Sequence, residues 1–93
     1  MAVAAEIVFP GATTDQYDAA IKTMGLTSGG QHPGALFHWA TQTDAGVKVT
    51  DVWASKEEME RFAEEQVAPA AREVGLPNPE IRFIDVHAYM VGR

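Results

Sequence analysis

The sequence predicts an α+β fold in which a four-stranded antiparallel sheet carries helices on one face. Four strand-like runs and two segments with helical spacing alternate in the order strand, helix, strand, strand, helix, strand. Right-handed crossovers bring strands in this order into one sheet, with both helices on the same side. Because 93 residues suffice for one core, we expect residues 1–93 to form a single domain.

The first strand is expected at about residues 3–9, where it is stopped by a Pro-Gly pair. Thr13 and Gln16 have the spacing of a capping box, which predicts the start of the first helix. That helix is expected to end at Gly25. Its apolar stripe consists of Tyr17, Ala20, Ile21 and Met24.

The segment after this helix, residues 27–34, is rich in glycine and contains His32. Two interpretations are open: a plain surface connector, or a flap at the mouth of a cavity. In the second interpretation, His32 closes over a bound ligand.

The next two strands, at residues 35–43 and 47–54, are expected to form a hairpin, and its register decides which side chains share a face. A tight turn with Asp44 opposite Val47 puts His38 on the face of Asp51, whereas a three-residue loop puts Trp39 there. We favour the tight turn because it gives the helices an apolar set to pack on. That set is Phe37, Trp39 and Val52.

The second helix is predicted to begin with a capping box formed by Ser55 and Glu58. Its apolar positions are Met59, Phe62, Ala63 and Val67. Proline is unfavourable in a helix interior, so we expect a break just before Pro69 and a short further segment closed by Gly75. The final strand is expected at residues 80–90.

The predicted sheet has two apolar faces but helices for only one. A sheet with one wet face alternates apolar with polar residues, and residues 47–54 and 80–90 do so poorly. The set expected on the uncovered face is Val49, Asp51, Trp53, Phe83, His87 and Tyr89. Another copy of the sheet is its expected cover, so we predict a homodimer that encloses a cavity for a small-molecule ligand.

The strand and helix order is that of ferredoxin-like folds. The segment Thr-Asp-Val-Trp-Ala-Ser-Lys-Glu-Glu-Met-Glu-Arg-Phe, residues 50–62, resembles the strand–helix junction of dimeric α+β barrels of the antibiotic-biosynthesis-monooxygenase type. This resemblance implies a homodimer with a small-molecule cavity between sheet and helices or within the barrel, and Trp53 as a cavity-wall residue. Some such proteins oxidise anthrone-type polyketides without metal or flavin, and others cyclise, isomerise, dechlorinate or bind haem.

Two positions depart from the monooxygenase pattern. Val49 stands where the monooxygenases have Asn, and Met59 stands near the position of an active-site Tyr. These departures argue against quinone-forming oxygenation specifically.

The candidate catalytic residues are Asp51, His38 and His87. A mid-strand carboxylate beside apolar neighbours must find hydrogen-bond donors or change its pKa, so Asp51 is either a structural group or a general acid–base. An Asp–His pair fixes the histidine tautomer and tunes it as a base near neutral pH. We expect Asp51 to contact His38, with His87 as the second choice. The candidate substrate-binding residues are Trp53, Val49, Phe83, Tyr89 and His32.

Composition restricts partners and cofactors. The net charge is −6 without a Lys or Arg cluster, so we expect no nucleic-acid or membrane partner. The chain has no Cys, and close-spaced histidine pairs are absent, so neither a metal nor another cofactor is expected. Without a basic leader or a long apolar run, a cytoplasmic location is expected.

Three functions stay open from the sequence. The first is a cofactor-independent cyclase, isomerase or monooxygenase that abstracts a proton from a largely apolar or aromatic substrate. The second is a non-catalytic dimer that binds a small molecule, haem or metal. The third is a structural dimer without a ligand.

Overall fold

The computed structural model describes residues 1–92 and has the predicted element order. Its elements are β1 (Val3–Pro10), α1 (Thr14–Thr23), β2 (Phe37–Thr43), β3 (Gly46–Trp53), α2 (Lys56–Phe62), a π-helical turn (Ala63–Val67), α3 (Ala68–Val74) and β4 (Glu80–Asp85). The strands lie in the order β2-β3-β1-β4, and each neighbouring pair is antiparallel. The predicted ferredoxin-like α+β fold is thereby confirmed.

Side-chain caps fix the starts of both predicted helices. The Thr13 hydroxyl accepts from the Gln16 backbone N–H at 3.3 Å, and the Gln16 side chain accepts from the Thr13 N–H at 3.0 Å. At α2, the Ser55 hydroxyl accepts from the Glu58 N–H at 3.2 Å. Each cap satisfies an N–H that the helix leaves unpaired, which stabilises the helix by about 1 kcal/mol.

The β2–β3 turn consists of Asp44 and Ala45, with Thr43 opposite Gly46. The predicted pairing of Asp44 with Val47 is therefore wrong by one residue on each strand. Gly46 is the first residue of β3, and it pairs with Pro10 of β1. Its φ is 139°, and a Cβ at this position would lie 2.1 Å from the Phe9 carbonyl oxygen. A shift of one residue on both strands leaves the faces unchanged, so the predicted sharing of faces is confirmed.

The helices cover the opposite face from the one expected. Trp53 is 1% exposed and Val49 is 4% exposed beneath the helices, whereas Trp39 is 45% exposed and Phe37 is 50% exposed on the open face. The predicted placement of Trp53 on the open face and of Trp39 in the core is therefore wrong. Phe83, also expected on the open face, packs against the buried core as well.

A charged cluster on the open face explains this choice. The Glu6 carboxylate lies 2.8 Å from an Arg82 guanidinium nitrogen and 3.6 Å from the Lys48 ammonium. Glu6 belongs to the central strand β1, and the three side chains share one face of the sheet. Burying these charges beneath the helices would carry a large desolvation cost, so the opposite face takes the core.

The second helical segment changes where the break was predicted: a π-helical turn ends at Val67, and α3 begins at Ala68 with Pro69 in its first turn, while the backbone stays helical throughout. The backbone is right-handed helical at Ala63 and Ala68, and the Ala68 N–H donates to the Ala63 carbonyl, as in a π-helix. Proline has no N–H and crowds the preceding turn, and the wider π turn accommodates this interruption. The segment ends at Gly75, whose φ of 75° is left-handed, as predicted.

Strand β4 ends at Asp85 rather than at Met90. Its neighbour β1 begins at Val3, and just beyond the strand the Val86 N–H still donates to the Ala2 carbonyl at 3.0 Å. The pairing of β4 with β1 extends no further within residues 1–92. His87 and Tyr89 lie outside the strand, and both are exposed.

Candidate functional site

Four polar side chains form a connected chain on the helix-covered face of the sheet. His38 on β2 and Asp51 on β3 are direct cross-strand partners, and His38 Nδ1 lies 2.5 Å from Asp51 Oδ1. The Tyr17 hydroxyl, from α1, lies 2.6 Å from His38 Nε2. Trp53 Nε1–H donates to Asp51 Oδ2 at 3.3 Å. The predicted contact between Asp51 and His38 is confirmed.

The hydrogen bonds that link Tyr17, His38 and Asp51 have a preferred donor-to-acceptor direction. Asp51 is 5% exposed, and an ionised carboxylate there accepts from Trp53 and from His38 Nδ1–H. In the neutral ring with its proton on Nδ1, His38 Nε2 is unprotonated and accepts from the Tyr17 hydroxyl. This arrangement places a basic nitrogen next to Tyr17 and holds its tautomer by means of a buried carboxylate.

Tyr17 remains a phenol at neutral pH. Burial raises the pKa of Tyr17 to about 12, with further contributions from the negative charges of Asp51 and Asp18. Its hydroxyl is therefore available to donate to His38 in the resting protein.

His32 points inward from the glycine-rich loop and packs on the hydrogen-bonded side chains of the site. Its ring centroid lies 4.8 Å from that of Phe62, 5.3 Å from that of His38 and 5.4 Å from that of Trp53. The loop is therefore packed onto the site rather than being a plain solvated connector. Loop and indole meet closely at Gly34, where a Cβ would lie 2.7 Å from the Trp53 ring.

Backbone hydrogen bonds determine the protonation of His32. Its Nδ1 accepts from the Gly34 N–H at 3.1 Å and from the Ala35 N–H at 2.9 Å, which leaves the proton of the neutral ring on Nε2. Burial lowers the pKa of His32; the Asp51 charge opposes that shift, while His38 adds to it. The loop thus keeps a neutral imidazole beside the site.

An open crevice of about 1360 Å³ lies between α1, the glycine-rich loop and β2. Tyr17, His38 and His32 all line it, together with charged groups from α1. Its apolar wall includes Ile21, Leu26, Ala35, Leu36 and Ala40, and the crevice also reaches Phe37 and Trp39 on the open face of the edge strand β2. A small ligand in this crevice would have apolar surface to contact and the tyrosine end of the chain within reach.

The structure assembles some predicted site residues and separates others. Asp51, His38, Trp53 and His32 lie together. Val49 is buried in the core, Phe83 on β4 lies beneath the Lys56 ammonium at 4.8 Å, and neither lines the crevice within residues 1–92. The two remaining residues, His87 and Tyr89, lie beyond β4 and are exposed.

Tyr17 belongs to this site, although its place in the apolar stripe of α1 predicts only a core role. A buried tyrosine hydroxyl normally finds a hydrogen-bond partner, and this requirement was the available signal. Only the correct choice of sheet face identifies His38 as that partner.

Two features are absent from the described residues. Among residues 1–92, no group of three or more His, Cys, Asp or Glu side chains is positioned to hold a metal ion. Within the same part of the chain, no helix has both the length and the apolar character that a membrane span requires.

Solved structures share this architecture. A protein of unknown function from Nitrosomonas europaea superposes with a TM-score of 0.65 at 14% identity, covering 99% of this chain and 94% of its own. SnoaB, a cofactor-independent oxygenase from Streptomyces nogalater, gives a TM-score of 0.59 at 13% identity, covering 96% and 95%. A candidate antibiotic biosynthesis monooxygenase from Deinococcus radiodurans gives 0.57 at 12% identity, covering 100% and 99%.

No protein-family model matches the chain, and no curated protein matches it in sequence. At such low identity, the structural likeness establishes the fold and leaves the chemistry to the site itself. The chain has the ferredoxin-like α+β fold found in antibiotic-biosynthesis-monooxygenase-type structures.

Proposed function

We propose that this protein is a cofactor-independent enzyme that removes a proton from a small, largely apolar or aromatic substrate. The observation that carries this proposal is the hydrogen-bonded chain from Tyr17 through His38 to Asp51, which begins at the crevice wall. A base oriented by a buried carboxylate is the usual arrangement for general acid–base catalysis.

In the proposed step, the acidic hydrogen of the substrate moves to the Tyr17 oxygen while the tyrosine proton moves to His38 Nε2. The electron pair of the broken bond stays on the substrate, which becomes an anion. His38 becomes an imidazolium stabilised by Asp51, and Tyr17 ends as a phenol again. Because Tyr17 never exists as a free phenolate in this relay, its raised pKa does not prevent the transfer.

The anion would then need a hydrogen-bond donor. His32 lines the same crevice and, as a neutral ring, carries its proton on Nε2. We assign it the role of stabilising negative charge on the substrate. Cyclisation, isomerisation and reaction with oxygen are the outcomes open to such an anion.

We further propose a homodimer formed through the open sheet face. Phe37, Trp39 and Ile84 on that face are 50%, 45% and 40% exposed, and Glu6 lies beside Lys48 and Arg82 on the same surface. A second copy would cover the apolar residues and supply both charge signs to the polar part. This is the reverse of the face expected from the sequence, while the proposed partner is the same.

A non-catalytic binder is the second candidate function. Among residues 1–92, no buried side-chain nitrogen or oxygen lacks a hydrogen-bond partner, so Asp51 and His38 are fully satisfied without a substrate. A structural pair in the wall of a ligand-binding crevice would have this property.

Proton exchange distinguishes the two candidates without knowledge of the final product. Carbon acids such as anthrone and an enolisable aromatic ketone are incubated with protein in D₂O, and deuterium incorporation is followed by NMR. We expect catalysed exchange, with losses of about 10²–10⁴-fold in His38→Ala and Asp51→Asn. Asp44→Asn, in the β2–β3 turn, is the matched carboxylate control. Bound probes without catalysed exchange would favour the binder.

A further inference from the structure

The indole of Trp53 is placed to act on Asp51 rather than on a ligand. Trp53 is 1% exposed, and among residues 1–92 it is not one of those lining the crevice. Its Nε1–H donates to Asp51 Oδ2, while Oδ1 of the same carboxylate contacts His38. The two carboxylate oxygens therefore have different partners on opposite sides.

An indole N–H can donate a hydrogen bond but cannot accept one. Its donation keeps Oδ2 as an acceptor and holds the carboxylate plane in one rotation about a torsion that is otherwise broad. Oδ1 is then left facing His38 Nδ1. The indole donor therefore acts on the tautomer indirectly, by holding the carboxylate in the rotation in which Oδ1 accepts from His38 Nδ1–H.

The indole itself is held in place by its surroundings. Phe62 packs against it at 5.5 Å between ring centroids, and His32 meets it edge-on. The backbone at Gly34 approaches so closely that a Cβ would lie 2.7 Å from the ring. A donor enclosed in this way has little freedom to leave the carboxylate.

We propose that Trp53 is a positioning residue that fixes the orientation of Asp51 and hence the tautomer of His38. Its catalytic consequence rests on the proposed function, since the tautomer matters for turnover only if His38 accepts the proton. Its structural consequence, a single His38 tautomer with the proton on Nδ1, stands independently of any substrate.

The test removes the indole N–H and measures the tautomer of His38. In ¹⁵N-histidine-labelled protein, long-range ¹H–¹⁵N spectra distinguish the Nδ1–H and Nε2–H tautomers, and His38→Gln assigns the resonances. We expect wild-type His38 to be in the Nδ1–H form and Trp53→Phe to show a substantial Nε2–H population. The proton-exchange rate should fall by about 10–100-fold, with the Kd of the anthrone probe unchanged.

Phe62→Leu is the matched control because it loosens the same aromatic cluster but leaves the indole N–H in place. We expect it to keep the wild-type tautomer. If Trp53→Phe does not fold, as judged by circular dichroism, benzothienylalanine at position 53 in a Trp39→Phe background keeps the shape of the indole and removes only the N–H.

Two results would overturn the proposal: an unchanged His38 tautomer without the indole N–H, or an equal change in Phe62→Leu. Absence of exchange in the wild-type protein, together with the expected tautomer change, would reject the proposed enzymatic function and leave the positioning role intact.

Discussion

The His38 ring and the Asp51 carboxylate meet across directly opposed positions of β2 and β3, with Nδ1 2.5 Å from Oδ1. Their relationship is set by the strand register rather than by a loop. Strand-borne groups are held more accurately than loop-borne ones, so this pair is the fixed part of the site. Tyr17 and His32 approach it from α1 and from the glycine-rich loop.

Removing the imidazole should destabilise the fold. His38→Ala leaves the buried Asp51 carboxylate without its main partner, and we expect unfolding free energy to fall by about 2–3 kcal/mol in urea denaturation. His87→Ala, on the exposed chain beyond β4, should stay within about 0.5 kcal/mol of wild type. Because the partners share one interaction, a His38→Ala/Asp51→Ala double variant should lose less than the sum of the single losses; additive losses would contradict the coupling.

The ionisation of Tyr17 should occur at unusually high pH. Burial raises the pKa of Tyr17 from 10.0 to about 12, so the unfolded chain ionises first. Its contribution to stability is therefore complete below about pH 10 and is lost as pH rises toward 12. The tyrosinate absorbance difference between wild type and Tyr17→Phe should develop near pH 12. A difference complete by pH 10 would show a solvated hydroxyl.

His32 should make the protein sensitive to mild acid. Its pKa is lowered in the folded state, so the unfolded chain takes up the proton first. The associated stability is complete above about pH 6.5 and is lost as pH falls through the folded-state pKa. His32→Asn keeps a hydrogen-bond acceptor in the loop but does not titrate. In urea denaturation across this range, we expect a steeper acid decline in wild type than in His32→Asn; parallel curves would contradict the prediction.

The two tryptophans should differ in accessibility. Trp53 is 1% exposed and Trp39 is 45% exposed, so iodide should quench the fluorescence of Trp53→Phe, which retains Trp39. Trp39→Phe should be protected. If the open face forms the proposed dimer, protection of Trp39 should increase with protein concentration, in step with the mass measured by sedimentation. Strong quenching of Trp53 would contradict its burial.

Local patterns predicted much of this molecule. Capping residues marked the helix starts, and the alternation along β2 and β3 put His38 on the face of Asp51. The choice of covered face was not accessible in the same way, because β3 alone is ambiguous: Asp51 stands in the set with Val49 and Trp53, and Val52 stands in the set with Lys48 and Thr50. It follows from the charges of Glu6, Lys48 and Arg82, which come from three strands and meet only in the folded sheet.

Tyr17 was missed for the same reason. Its assignment to the apolar stripe was correct as far as one helix can indicate. The role of its hydroxyl depends on which histidine lies opposite, and that is a property of the sheet. Likewise, the end of β4 depends on how far its pairing with β1 extends, which is also a property of the sheet.

The absence of a Cβ at Gly34 allows the loop to lie close to Trp53, and this closeness sets the width of the crevice entrance. Here the loop backbone passes over Trp53 with no room for one added carbon. A methyl group would act as a wedge, lifting the loop and with it His32, while the strand-borne pair of His38 and Asp51 stayed in place. His38 and Asp51 belong to strands, whereas the width of the entrance and the proposed donor to the substrate anion, His32, both belong to the loop, so one substitution at Gly34 would change which molecules enter and how well their anions are stabilised.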